Sequence, residues 1–347
     1  MRFHWTDHGT SITGYVVPDN PTAISRITIS VHGRQRLALE ATKVDEHLRQ
    51  LGLHATGQCT FEITDAQLPD LAELERLEIY DADTNVLVHR RAPRAVEAKV
   101  MLFNTSIEPE STIETALFPH FRQSYFGIAR FPEEILRALL DTRSVTSCLL
   151  SGAAMFPRYE GHIVNAEASS MIMVHDPFAE MARRLIWLRE RTGLASDAAQ
   201  AWRLGPLAEA ALFAAEYDYA DAKSLKRFFR MLPEAAYRML YNPLTRQLGT
   251  RGPEDEFKPG NSVIAAEILS HIDVVGHRDY FEAFVASAFN HIGVEADIPA
   301  PPAIPAETLA LAERLRPLRF AQDMINFDAI ISDAVRSSVA KSWHDWS

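Results

Sequence analysis

A chain of 347 residues, 47% apolar and 23% charged, is longer than one typical core and has no low-complexity tract, so it reads as two folded domains. The net charge of −11 argues against a nucleic-acid partner, because phosphate binding needs a clustered excess of Lys and Arg, and leaves neutral or cationic partners open. Cys59 and Cys148, far apart and outside any metal-ligand spacing, exclude a disulfide framework and a zinc site; a reducing cytoplasm is expected.

Residues 1–10 lack the cationic start and apolar run of a secretory signal, and no stretch reaches the roughly 18 apolar residues of a membrane span. A protein without a transmembrane segment is expected, and no repeat period of about 20–50 residues is found. From Ser11 to Arg91 the pattern favours strands: ITGYVV, ISRITISVHG, QCTFEIT, RLEIYDAD and NVLVHRR are β-branched or aromatic and separated by turn residues. Ile27, Ile29 and Val31 alternate with Thr28 and Ser30, which puts one face inward. Residues 1–92 are therefore expected to form a small antiparallel β-sandwich. KVDEHLRQLG, Lys43 to Gly52, is a short helical interruption capped by glycine, and Asp83-Thr84-Asn85 is a hairpin turn.

RRAPRAVEAK, Arg90 to Lys99, loses the alternation and is the expected linker. Beyond it, across residues 98–347, apolar runs at Val100–Phe103, Ser147–Leu150, Met171–Val174 and Ile272–Val275 alternate with helical patterns. That order predicts an α/β domain with a parallel sheet flanked by helices. Ser196 to Leu248 is almost wholly helical, IPAPPAIPAE (Ile298 to Glu307) is an extended connector, and two helical patterns follow, at Thr308–Leu315 and Asp323–Lys341. RLIWLRER and KSLKRFFRML are mildly basic amphipathic helices, read first as core-packing and second as membrane-surface elements. Trp343 and Trp346 are expected to dock on the surface.

Four segments of this second region, in order, resemble the carbohydrate sulfotransferase superfamily: VMLFNTSIEPESTIETALF from Val100, MIMVHDPFAEMARRLIWLRER from Met171, YNPLTRQLG from Tyr241, and HIDVVGHRDYFEAFVASAFNHIG from His271. The resemblance implies a P-loop-like fold and a donor, 3′-phosphoadenosine 5′-phosphosulfate, with no metal. It matches Ser111-Thr112 to the hydroxyl pair of the 5′-phosphosulfate loop, although the family's Lys is absent and Pro109 and Glu110 hold its glycine positions. It places His175 and Arg183 where the family's Arg and Ser hold the 3′-phosphate, beside a retained Asp176-Pro177. GYVVPDN and the Gly57-to-Phe61 pattern look like accessory modules of bacterial glycan-modifying enzymes.

Sulfuryl transfer needs its anionic donor positioned and the charge on the leaving oxygen stabilised, which backbone N–H groups at a helix N-terminus can do. Glu108 and Glu110 oppose this: a like charge within about 4 Å costs roughly 4 kcal/mol at an effective dielectric of 20, against ~0.3–1 kcal/mol from a helix dipole. Ser111 with Glu114 also reads as a capping box. His175 is either a phosphate donor or a turn histidine held by Asp176; of Arg183 and Arg184, about two turns into the helix, one is expected to reach a phosphate and the other to be solvated, with Arg183 the candidate. Many relatives carry Gly-His after the second strand; here Ala153 follows Gly152, and Glu160 and His162 are the nearest candidate general bases, or else solvated loop residues. Asn104 and Arg278 are polar at strand ends, where open α/β sheets bind ligands.

Walker A, G-x-G-x-x-G, G-x-S-x-G and H-E-x-x-H patterns are absent from the sequence. The expected function is sulfate transfer to a glycan or other small hydroxyl acceptor. The alternative is a non-catalytic binding or scaffold protein of bacterial polysaccharide assembly; a homo-oligomer is left open.

Overall fold

The computed structural model describes residues 2–92, 94–143 and 145–344, which leaves the side chain of Trp343 and all of Trp346 outside the described residues. The chain divides into two compact units. The first is Met1–Glu97 with Leu117–Tyr125 and Thr146–Leu149; the second is Ala98–Ala116, Phe126–Val145 and Leu150–Ser347.

In the first unit the strands are β1 (Arg2–Asp7), β2 (Ser11–Val17), β3 (Arg26–Val31), β4 (Arg34–Glu40), β5 (Lys43–Val44), β6 (Gln58–Thr64), β7 (Leu77–Asp81) and β8 (Leu87–Arg91), with helix α1 (Glu46–Gln50) after β5. They form two antiparallel sheets, β1-β2-β6-β5 and β4-β3-β7-β8. Ile12 and Ile63 of one sheet and Ile27, Ile29 and Ile79 of the other belong to one buried cluster, as alternation requires. Asp45 caps α1 by accepting from the Leu48 N–H, so Lys43 and Val44 are strand, not helix. In the β7–β8 turn Asn85 takes a left-handed φ of 55°, and the Asp81 carboxylate accepts from the Thr84 N–H. The expected linker starts too early: Arg90 and Arg91 lie in β8, and Arg90 is buried with its guanidinium against Glu78 and the Phe118 ring.

The remaining elements are β9 (Lys99–Phe103), α2 (Ser111–Leu117), β10 (Gln123–Phe126), α3 (Glu133–Asp141), β11 (Cys148–Gly152), α4 (Phe156–Asn165), β12 (Ser169–Val174) and α5 (Pro177–Glu190). A helical stretch follows: α6 (Thr192–Ser196), α7 (Leu207–Ala215), α8 (Ala222–Arg230), α9 (Glu234–Leu240), α10 (Pro243–Gly249) and α11 (Gly260–His271). Then come β13 (Val274–His277), α12 (Phe281–His291), α13 (Ala306–Leu315), α14 (Arg319–Met324) and α15 (Asn326–His344). The five strands are ordered β10-β11-β9-β12-β13, and β12 runs parallel to both its neighbours. β9 and β12 are almost wholly buried and carry continuous apolar runs at Val100–Phe103 and Met171–Val174, the signature of a parallel sheet covered on both faces.

α5 starts sharply because Asp176 accepts from the Ala179 N–H and Pro177 takes the first helical position. Its apolar face, with Leu185 and Leu188, joins Ala210 and Ala214 of α7, Phe228 of α8 and Leu315 of α13 in the core. Gly276 in β13 lets α12 approach, since a Cβ there would lie 2.5 Å from the Phe284 ring. Among the described residues no helix is long and apolar enough to cross a membrane.

Candidate functional site at the carboxyl edge of the parallel sheet

The register pairs Phe103 with Ile172 and Val174 with His277, so the loops leaving β9, β12 and β13 emerge on one edge of the sheet. Such an edge is where open α/β sheets assemble binding sites. After β9 the chain folds on itself through Asn104, whose Oδ1 accepts from the Ser106 N–H (2.9 Å) while its amide donates to the Glu108 carbonyl (2.7 Å). Gln247 of α10 donates to the Asn104 carbonyl and Thr105 to the Met173 carbonyl, tying the loop to the helix and the next strand.

The loop thus presents a hydroxyl and a backbone N–H in one direction, and both meet the buried carboxylate of Glu180. Ser106 Oγ donates to Glu180 Oε2 (2.8 Å) and the Ile107 N–H to Oε1 (2.8 Å). One helical turn further along α5, Arg184 Nε donates to Oε1 (2.8 Å) and Arg183 Nη1 to Oε2 (3.3 Å). Two donors on each oxygen fill the four acceptor positions of a carboxylate. Arg183 also donates to Ser106 Oγ (2.7 Å), and its Nε lies 3.4 Å from the exposed carboxylate of Glu108. Arg184 donates further to the Thr105 and Met239 carbonyls. The cradle therefore fits an anion, and the anion is the chain's own side chain.

Beside it, His175 Nε2 lies 2.6 Å from Glu110 Oε1, both groups almost fully buried. The His175 carbonyl accepts from Ser332 Oγ (3.1 Å), whose oxygen sits 3.1 Å from His277 Nε2. Because His277 Nδ1 accepts from the Asp279 N–H, its proton is on Nε2, and the order His277 to Ser332 to the His175 carbonyl is set. Burial holds His277 below the usual imidazole range, against the opposing pull of Asp279. Burial likewise lowers the Arg278 guanidinium, which lies over the Phe281 ring and donates to the Pro302 carbonyl. Arg278, Phe281 and Ile304 help line a cavity of about 450 Å³.

Several expected details differ. Ser111 is the exposed first residue of α2, and the Glu114 carboxylate accepts from Ser151 Oγ (2.7 Å) instead, so no capping box forms. Burial raises Glu114 above the usual carboxylate range. His175 is held by Glu110, not by Asp176, whose carboxylate caps α5 and pairs with Arg316. Arg183 is largely buried rather than solvated, and Glu108, not Glu110, is the exposed acid.

Asn104, His175, Arg183 and Arg278 thus come to one edge of the sheet, with Ser111 and the half-buried Thr112 opening the helix after the loop. Glu160 and His162 do not join them. Both lie on α4, a helix and not a loop; His162 Nδ1 is 2.8 Å from Asp141, and Glu160 lies 4.0 Å from His271 beside a cavity of about 740 Å³. Sequence reasoning missed Ser106 and Glu180, and it expected only one of Arg183 and Arg184 at the site where both meet Glu180. The available signal was the spacing of Glu180, Arg183 and Arg184 at i, i+3 and i+4, which puts all three on one helix face.

A second buried carboxylate stands at the N-terminus of α10. Asp328 accepts from the Leu244 and Thr245 N–H groups (3.0 and 2.8 Å) and from Thr245 Oγ1, while Asn242 Oδ1 accepts from the Phe327 and Asp328 N–H groups of α15. The two helices cap each other. Complete burial raises the Asp328 carboxyl to about 6 despite these donors.

Among the described residues no group of three or more His, Cys, Asp or Glu is arranged to hold a metal ion. No family model, curated protein or solved structure matches this chain.

Proposed function

We propose that this chain is a non-catalytic binding or scaffold protein of bacterial polysaccharide assembly, built on a sulfotransferase-like α/β domain that has given up its sulfonucleotide. The observation that carries the reading is the saturated Glu180 carboxylate: the hydroxyl, the backbone N–H and the two guanidiniums suited to a phosphosulfate already serve an internal anion. An incoming anion would have to displace it, and a like charge brought within about 4 Å costs roughly 4 kcal/mol at an effective dielectric of 20. Glu110 occupies the His175 ring nitrogen in the same manner. The placement of Glu160 and His162 also supports this reading, since the two expected general bases engage residues elsewhere.

Thermal melting with 3′-phosphoadenosine 5′-phosphate tests it. No shift at millimolar ligand is expected; a rise approaching the ~2.7 kcal/mol of a ligand at 100 times its dissociation constant overturns the proposal. The convergence of Arg183, Arg184, Ser106 and the Ile107 N–H favours one second reading, sulfate transfer to a glycan hydroxyl, in which Glu180 swings out and hands its donors to the nucleotide. Ligand-induced stabilisation of the unmodified chain distinguishes that reading from the first.

A further inference from the structure

We propose that α8 and the start of α14 form a docking face for an anionic lipid surface. Lys223, Lys226, Arg227 and Arg230 stand at i, i+3, i+4 and i+7, so all four cations share one stripe of α8, and all four are exposed. The opposite stripe, Leu225, Phe228 and Phe229, is buried in the core, which fixes the basic stripe outward. Like charges at helical spacing repel, so this stripe opposes the stability of its own helix. None of the four side chains pairs with a carboxylate among the described residues. The acids at hand are engaged: Asp221 caps α8, Asp218 accepts from the Ala220 N–H, and Asp323 faces Arg319 at 3.9 Å.

In a chain of net charge −11, an unneutralised stripe of four cations is complementary to an anionic partner. Apolar groups beside it select the kind. Met231, directly after α8, is 62% exposed, and Phe320 of α14 is 40% exposed with the Arg230 guanidinium 5.6 Å from its ring centre. Cations flanked by protruding apolar side chains match a lipid headgroup layer, where the charges meet phosphates and Met231 and Phe320 enter the acyl boundary. A soluble polyanion would leave both apolar side chains in water.

The test is co-sedimentation of the full chain with phosphatidylcholine vesicles in which about a third of the lipid is anionic, at low and high salt. Binding to anionic vesicles, weakened by salt and absent on pure phosphatidylcholine, is expected. The combined variant Lys223→Gln, Lys226→Gln, Arg227→Gln and Arg230→Gln should lose on the order of fivefold in partitioning per cation removed. Met231→Ser, which leaves every charge in place, should lose severalfold. Circular dichroism and melting of both variants report whether the fold is kept. No binding at low salt, or equal binding by the combined variant, overturns the proposal. Retention on heparin with no vesicle binding overturns it in favour of a soluble polyanion.

Discussion

Replacing Glu180 by Gln separates an anion cradle filled from within from a merely structural ion pair. The substitution keeps the side chain's shape but leaves one oxygen where two accept from four donors at 2.8, 2.8, 2.8 and 3.3 Å. The new amide then points its own N–H groups at donors, and the Arg183 and Arg184 side chains, only 11% and 12% exposed, lose the buried carboxylate they share, leaving Arg183, among the described carboxylates, with the exposed Glu108 alone. Removing one partner of a buried pair costs about 3–5 kcal/mol, which lowers the melting temperature of a unit of this size by roughly 2–4 °C per kcal/mol. A structural pair predicts that loss and nothing more. A cradle predicts that sulfate or 3′-phosphoadenosine 5′-phosphate restores stability to the variant and not to the parent, because only the variant releases the four donors that Glu180 holds. The assay is a melt of each protein across a ligand series, with Glu108→Gln as control; that acid is exposed, so its loss changes stability by no more than about 1 kcal/mol. Equal melting of Glu180→Gln and the parent, or equal ligand response, would refute the reasoning.

Asp328 carries a pH signature: its carboxyl is raised from 3.8 to about 6 by burial, so the folded chain holds a proton that the unfolded chain has released. Its contribution is therefore largest below about pH 4, falls as pH rises, and is lost above about pH 6, a change of order 3 kcal/mol read from urea midpoints. Asp328→Asn should flatten that slope while costing about 1–3 kcal/mol through mismatched donors at Leu244 and Thr245. His175→Gln should destabilise by several kcal/mol by stranding the buried Glu110 carboxylate, and adding Glu110→Gln should recover part of the loss in a double-mutant cycle. Gly276→Ala should cost about 1–3 kcal/mol in chemical denaturation, since its Cβ meets the Cβ, Cγ and Cδ2 of Phe284 within 2.8 Å.

Place in the sheets governs most of which strands the sequence revealed: every interior strand was read, and of the six edge strands only β8 and β13 were. β2, β3, β6 and β7 are interior to the two antiparallel sheets, and their alternation is plain because one face is buried. The strands missed, β1, β4, β5 and β10, are all sheet edges. RFHWTD and RQRLALE carry the charges that keep an edge from pairing with another chain, and those charges dilute the apolar period. Interior parallel strands β9 and β12 escape this dilution, being covered on both faces and read as apolar runs.

The candidate site divides along similar lines. Its location followed from the order of strands and helices, because every loop leaving the carboxyl edge of a parallel sheet faces the same way. Its charge state did not, because neutralisation is settled between residues far apart in the chain: Glu180 meets Ser106 across 74 positions and Glu110 meets His175 across 65. Local spacing suggested that Glu108 and Glu110, adjacent to the loop, would repel a donor. In the fold Glu108 faces solvent, Glu110 is spent on an imidazole, and the carboxylate reaching the cradle comes from the first turns of α5, brought there by the parallel pairing of β9 with β12. The same pairing that gathers the Ser106 hydroxyl, the Ile107 N–H and two guanidiniums presents Glu180 to them, so one side chain fills the cradle, and under the proposed reading its removal is what would open that cradle to an external anion.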